Sequence, residues 1–266
     1  MSYLRYVALG DSQTEGLNDG DELSGYRGWA DRLAEHLAAV SPRVTYANLA
    51  VRGKQARDVR AEQLGPALAL KPDLATVMAG MNDVIRPGFD AAAVTAELEA
   101  MFAALTGTGA RVLTFTFPDL TRLMPIARRL RPRLVDLNDR IRAAAARYDV
   151  VVVDGFAHPL SVDPRLWSAD RLHASSLGHA MIAASAAEAL GLPAVGATPA
   201  TAPAAADARP PLATAARELV WLGTYLGPWA VRRLRGRSSG DGRTAKRPDL
   251  SPVVAGPVTG PATGPA

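Results

Sequence analysis

The chain alternates five times between a short apolar run and a longer amphipathic one, and few folds accept that order. Residues 3–9, 43–49, 73–79, 109–117 and 150–153 are rich in aliphatic, aromatic and β-branched side chains and read as strands. Residues 73–79 are apolar without interruption, the pattern of a strand covered on both faces. Between them lie helical patterns. Trp29, Leu33, Leu37 and Val40 share one face of a helix expected over 25–40. Further helices are expected over 58–70, 91–105 and 125–148, the last broken at Pro132. A final helix is capped by Ser175 and stopped by Gly191. Strand–helix alternation of this kind folds as a parallel sheet with helices on both faces. The expectation is an α/β fold, a three-layer α/β/α sandwich around a five-stranded parallel sheet in the flavodoxin-like order 2-1-3-4-5.

Open parallel sheets bind ligands beyond the carboxyl ends of their strands, so the residues just after each strand are where chemistry is sought. The first strand ends in Gly10, Asp11 and Ser12. The second leads to Arg52, Gly53 and Lys54, and the third to Gly80, Met81, Asn82 and Asp83. Ahead of the last helix stand Asp170, Arg171, Leu172 and His173. Each has an ordinary structural use: Ser12 and Asp170 as caps, Gly53 as a turn glycine, Asn82 in an Asx turn. Together they hold the parts of acyl transfer. A serine hydroxyl is a poor nucleophile until an imidazole takes its proton. The imidazole needs its other nitrogen held by an acceptor, and an oxyanion needs donors already in place. Asp170 and His173 are three residues apart and within reach of one another on one loop. Of the other histidines, His158 in a loop before Pro159 is the best rival base. His36 lies off the apolar stripe of its helix, and His179 sits inside the last helix.

These four blocks, in this order, resemble the SGNH hydrolase family, also called GDSL-type esterases and lipases, over residues 3–192. The resemblance implies Ser12 as the nucleophile and, through its N–H, the first oxyanion donor. It implies the Gly53 N–H and the Asn82 amide as the other two donors. It implies His173 as general base and then acid, oriented by Asp170. It also implies that no metal or cofactor is needed. Gln13 stands where the family name has leucine, a departure at a variable position.

The leading reading is a serine carboxylic ester hydrolase that forms an acyl-enzyme on small or short-chain esters. An acyltransferase with the same residues differs only in whether water or an alcohol resolves the acyl-enzyme. A binding module that has kept the cleft is a third reading, against which the complete set of four blocks argues. Phe117, Leu120, Leu123, Met124 and Trp167 are candidates to line an acyl pocket or to fill the core.

Charge separates the chain into two parts. Residues 209–266 hold nine Lys and Arg against three Asp and Glu, a net +6, whereas residues 1–208 hold 21 against 23, a net −2. The basic character thus belongs to the tail, and the rest gives no reason to expect nucleic acid. Residues 1–193 are expected to form the catalytic domain, followed by an Ala/Pro linker over 194–211. A basic amphipathic helical segment follows over 212–235, and a disordered tail over 236–266. Leu212, Leu219, Leu222, Leu226 and Trp229 recur at helical spacing ahead of Arg232, Arg233, Arg235 and Arg237. Two placements fit: a peripheral contact with an anionic membrane or a partner, or a return onto the catalytic domain with the arginines solvated. The chain has no cysteine, no signal-peptide pattern and no apolar run long enough to span a membrane, so a cytoplasmic location is expected.

Overall fold

In the computed structural model, which describes residues 3–119, 121, 124–156, 163–193, 220–228 and 238–253, each of the five apolar runs is a strand. They are β1 (Arg5–Gly10), β2 (Thr45–Asn48), β3 (Leu74–Met78), β4 (Arg111–Thr116) and β5 (Val151–Asp154). All pair in parallel, in the spatial order β2-β1-β3-β4-β5, which is the expected 2-1-3-4-5. The helices are α1 (Ser12–Glu15), α2 (Trp29–Val40), α3 (Ala56–Ala69), α4 (Met81–Val84), α5 (Ala91–Gly107), α6 (Arg131–Arg147) and α7 (Ser176–Ala189). The long ones cover the two faces of the sheet. Tyr6, Leu9, Leu74, Val77, Leu113 and Phe115 from the strands meet Trp29, Leu33, Leu98 and Phe102 from the helices in one core. Trp29 packs edge-on against Phe115 with ring centroids 4.6 Å apart, joining α2 to β4.

Three expectations need correction. The sheet has six strands, not five. The sixth, β6 (Arg247–Pro252), pairs antiparallel with β2 at the sheet edge, inside the stretch expected to be a disordered tail. Its sequence, Arg-Pro-Asp-Leu-Ser-Pro, has no strand-like alternation. An edge strand tolerates proline and charge because one side of its backbone needs no partner, so the ordinary strand signal is missing. Second, α2 begins at Trp29 instead of residue 25, because Gly25–Tyr26 pairs with Gly20–Asp21 in a two-residue ribbon. Third, residues 125–148 open with a 3₁₀ turn (Pro125–Leu130), and α6 starts at Arg131 with Pro132 in its first turn, where a missing N–H is harmless.

The linker expected over 194–211 lies outside the described residues, as do Leu212, Leu219, Trp229 and the four arginines of 232–237. Of the basic segment only 220–228 is described. There Trp221 is buried, packing against Met124 with Ala127, Trp167 and Leu172. The Arg171 guanidinium lies over its ring at 4.9 Å. This described piece thus returns to the body of the fold. Among the described residues no helix is long and apolar enough to cross a membrane.

Candidate active site

The structure brings Ser12, His173 and Asp170 into one hydrogen-bonded line. Ser12 is the first residue of α1, directly beyond β1, and is buried. Its Oγ lies 2.9 Å from His173 Nε2, and His173 Nδ1 lies 2.7 Å from Asp170 Oδ2. The two ends of this line are 158 positions apart in sequence and meet because α7 packs on α2, which holds the loop before α7 over the end of β1.

Gly10 makes the turn from β1 into α1 feasible. A Cβ there would run into Thr14 Oγ1 and come within 2.6 Å of the Met78 carbonyl oxygen. The loop carrying the imidazole is equally fixed. Asp170 Oδ1 accepts from Ser168 Oγ (2.7 Å), Leu172 N (2.9 Å) and His173 N (3.0 Å), while Oδ2 also accepts from Asn18 Nδ2 (2.9 Å). Burial acts to raise the Asp170 carboxyl. The hydrogen bond and charge of His173, with the N–H groups of His173 and Leu172, outweigh it and hold the group well below the usual carboxylate range. Arg171, between acid and base, sits at φ 58°, a left-handed conformation that the tight loop imposes.

Two features of this loop were not legible in sequence. Asn18, 152 positions away, and Ser168, on the same loop, complete the carboxylate's partners. Gln13, the departure from the family name, clamps the loop to α1: its Nε2 donates to the Leu172 carbonyl at 3.0 Å, and its Oε1 accepts from Ala174 N at 3.2 Å. A leucine there offers neither bond.

Gly53 and Asn82 come to the same edge. Gly53 adopts φ 77°, which favours glycine. Its loop is tied to α1 by Arg52, whose N–H donates to Glu15 Oε2 at 2.7 Å and whose Nε lies 3.0 Å from Glu15 Oε1. Both side chains are buried, so removing Arg52 would strand the Glu15 charge at about 3–5 kcal/mol. Neither the Ser12 N–H nor the Gly53 N–H meets an acceptor among the described residues. Asn82 differs: its Nδ2 donates to Asp11 Oδ2 and to the Lys54 carbonyl, both at 3.0 Å. The Asn82 amide is thus engaged by Asp11 and the Lys54 carbonyl, unlike the two backbone N–H groups. Burial pushes the Asp11 carboxyl up to about 6, with Gln13 N–H, His173 and Asn82 acting to lower it. The adjoining Asp83 accepts from Ala56 N (3.0 Å) and Gln55 Nε2 (3.1 Å), which holds the Asn82 turn to the start of α3.

Of the other histidines, two are described. His179 is fully buried, its Nδ1 accepting from Trp29 N (3.1 Å) and its Nε2 donating to the Leu17 carbonyl (3.2 Å). Burial pushes it down to about 4, so it serves as a neutral strut between α7 and α2. His36 sits on α2 and does not line the cavity over Ser12, and His158 lies outside the described residues.

A cavity of about 670 Å³ opens over Ser12 and His173. Phe115, Phe117, Val152, Val153, Met181 and Ile182 form an apolar flank along β4, β5 and α7. Of the expected pocket residues, Phe117 and Trp167 line it, Met124 packs on Trp221 instead, and Leu120 and Leu123 lie outside the described residues. A hydroxyl, an imidazole and an anchored carboxylate in line, beside two backbone N–H groups at the mouth of an apolar cavity, are the parts that acyl transfer requires.

The sequence profile of the GDSL-like lipase/acylhydrolase family matches residues 8–181. The chain belongs to that family. The match takes in Ser12, Gly53, Asn82, Asp170 and His173 and ends inside α7. Solved structures share this fold. An alpha/beta hydrolase enzyme from the metagenome of Lake Arreo, Spain, is 24% identical, with a TM-score of 0.61 over 72% of this chain and 96% of its own. A variant of an acetyl xylan esterase from Geobacillus stearothermophilus is 20% identical, with a TM-score of 0.60 over 74% and 98%. The lipase/acylhydrolase from Enterococcus faecalis is 22% identical, with a TM-score of 0.57 over 70% and 94%. No curated protein matches the sequence.

Proposed function

We propose that this GDSL-like hydrolase cleaves small and short-chain carboxylic esters through an acyl-enzyme on Ser12. The observation that carries the reading is the line from Ser12 Oγ through His173 to Asp170, set in the floor of the cavity. Ser12 Oγ attacks the ester carbonyl carbon while its proton passes to His173 Nε2. Asp170 holds Nδ1–H and stabilises the imidazolium. Negative charge gathers on the carbonyl oxygen, facing the N–H groups of Ser12 and Gly53 and an Asn82 hydrogen withdrawn from Asp11. The intermediate collapses, and His173 returns the proton to the departing alcohol. Water, deprotonated by His173, then attacks the acyl carbon and frees the acid and Ser12. A cavity of about 670 Å³ must hold both halves of the ester, which supports small substrates with the acyl group against the apolar flank.

The test is burst kinetics with p-nitrophenyl acetate together with mass spectrometry after a fluorophosphonate. One adduct, on the peptide containing Ser12, and loss of turnover in Ser12→Ala are expected. A label elsewhere, or a Ser12→Ala enzyme that still turns over, refutes the assignment. An added alcohol yielding transesterified product in place of acid would point to acyl transfer instead.

A further inference from the structure

The cavity is not closed by the family core alone. Ser238 and Ser239 line it beside Gly53, and they come from the segment that leads into β6, beyond the family match. Ser238 Oγ and Ser239 Oγ occupy the space where a Cβ on Gly53 would project. The next residue, Gly240, is buried against the Arg52 carbonyl oxygen, where a Cβ would collide with that oxygen and lie 3.3 Å from Val51 Cγ1. The short turn is internally braced. Asp241 Oδ2 accepts from Ser238 N (2.9 Å), and Ser238 Oγ accepts from Gly240 N (3.2 Å).

Four contacts hold the segment down. β6 pairs with β2 in the register Thr45↔Pro252, Tyr46↔Ser251 and Asn48↔Arg247. Lys246 Nζ bonds Asp31 Oδ2 (2.6 Å) and the Tyr26 carbonyl (2.8 Å). Arg243 pairs with Glu22 at 2.8 Å, and Glu22 in turn with Arg52 at 3.0 Å. The Arg247 guanidinium lies 5.2 Å above the Tyr46 ring. The anchorage thus runs from the sheet edge to the residue next to Gly53.

Strand order decides which half of the ester meets this wall. Ser12 follows β1. The apolar flank is built from β4, β5 and α7 on one side of β1, whereas Gly53 and the Ser238–Gly240 turn follow β2 and precede β6 on the other. A carbonyl seated on Ser12 has its acyl group and its alcohol on opposite sides. The apolar flank suits the acyl group, which leaves the alcohol to the hydroxyl-bearing wall.

We propose that the Ser238–Gly240 turn is the wall of the alcohol subsite and that Ser239, which lines the cavity from an exposed position, sets the size of alcohol admitted. This rests on the esterase reading above. The test uses the full-length chain, with rates counted per fluorophosphonate-titrated site so that unfolded protein does not enter. Acetate esters of ethanol and 2-naphthol vary the alcohol, and p-nitrophenyl esters from acetate to hexanoate vary the acyl group. Ser239→Trp fills the subsite. It is expected to lower kcat/KM for 2-naphthyl acetate at least tenfold relative to ethyl acetate, with the acyl-length profile unchanged within twofold. Gly240→Val forces the turn off the Arg52 carbonyl and is expected to move the same ratio the other way. If Gly240→Val yields no folded protein, Ser239→Trp decides alone. An alcohol ratio within twofold of wild type in Ser239→Trp overturns the proposal, as does a change confined to the acyl-length profile. Failure of the esterase reading looks different: turnover would then survive Ser12→Ala, whatever the wall variants do.

Discussion

Replacing Asp170 by asparagine changes one atom and should nearly silence the enzyme, and the loop shows why. Asp170 Oδ1 accepts from two backbone N–H groups, of Leu172 and His173, and from Ser168 Oγ. An asparagine must place its carbonyl oxygen there, because an NH₂ would face two N–H donors that cannot turn away. Its NH₂ then falls at the Oδ2 position, 2.7 Å from His173 Nδ1. Nδ1 becomes an acceptor, and the ring proton moves to Nε2, the atom facing Ser12. An imidazole in that tautomer cannot take the serine proton. The loss for such a change is about 10⁴ in kcat, roughly 5.4 kcal/mol at about 1.36 kcal/mol per factor of ten. Asn18, which also donates to Oδ2, can flip its amide to accept, so the fold should persist. The assay is pre-steady-state release of p-nitrophenol with thermal unfolding alongside. An Asp170→Asn enzyme within tenfold of wild type in kcat, with an unchanged unfolding midpoint, would refute the tautomer argument and demote Asp170 to a loop-building residue.

Asn82→Ala should lower kcat by about 10²–10³, or roughly 2.7–4 kcal/mol, with little change in KM, since the donor is aimed at charge that develops only in the transition state. A raised KM with normal kcat would make Asn82 a ground-state contact. Gln13→Leu removes the two bonds that tie the His173 loop to α1 and should cost about 1–3 kcal/mol in urea unfolding, from about 0.5–1.5 kcal/mol per bond, together with a fall in kcat. Full activity with unchanged stability would show that the clamp is idle. Trp221→Ala should lower the unfolding midpoint, because the indole is buried against Met124, and should leave sedimentation with anionic vesicles unchanged. Salt-sensitive vesicle binding that disappears in this variant would favour the membrane placement of the basic segment.

Five strands, the helices between them and the strand ends where polar residues gather are legible in the chain's own pattern. Apolar periodicity and glycine, proline and capping signals are local properties, and the rule that ligands lie beyond strand carboxyl ends turns them into a map of the site. That places Ser12, Gly53 and Asn82 at strand ends, whereas Asp170 and His173 precede the last helix, and it is the resemblance of the four blocks to the GDSL-type family that implies a role for each of the five. The remaining features come from packing and leave no local signal. β6 reads as tail because an edge strand built from proline and charge is stabilised by its neighbour and by Lys246–Asp31, not by its own pattern. Gln13 and Asn18 look like any polar residues until the chain returns over 150 positions later to give them partners. The hydrogen bond from Asn82 to Asp11 depends on two turns meeting across 71 positions, a distance no spacing encodes. Periodicity fixes which way each element faces, whereas pairing across the sheet edge and across loops is fixed by packing.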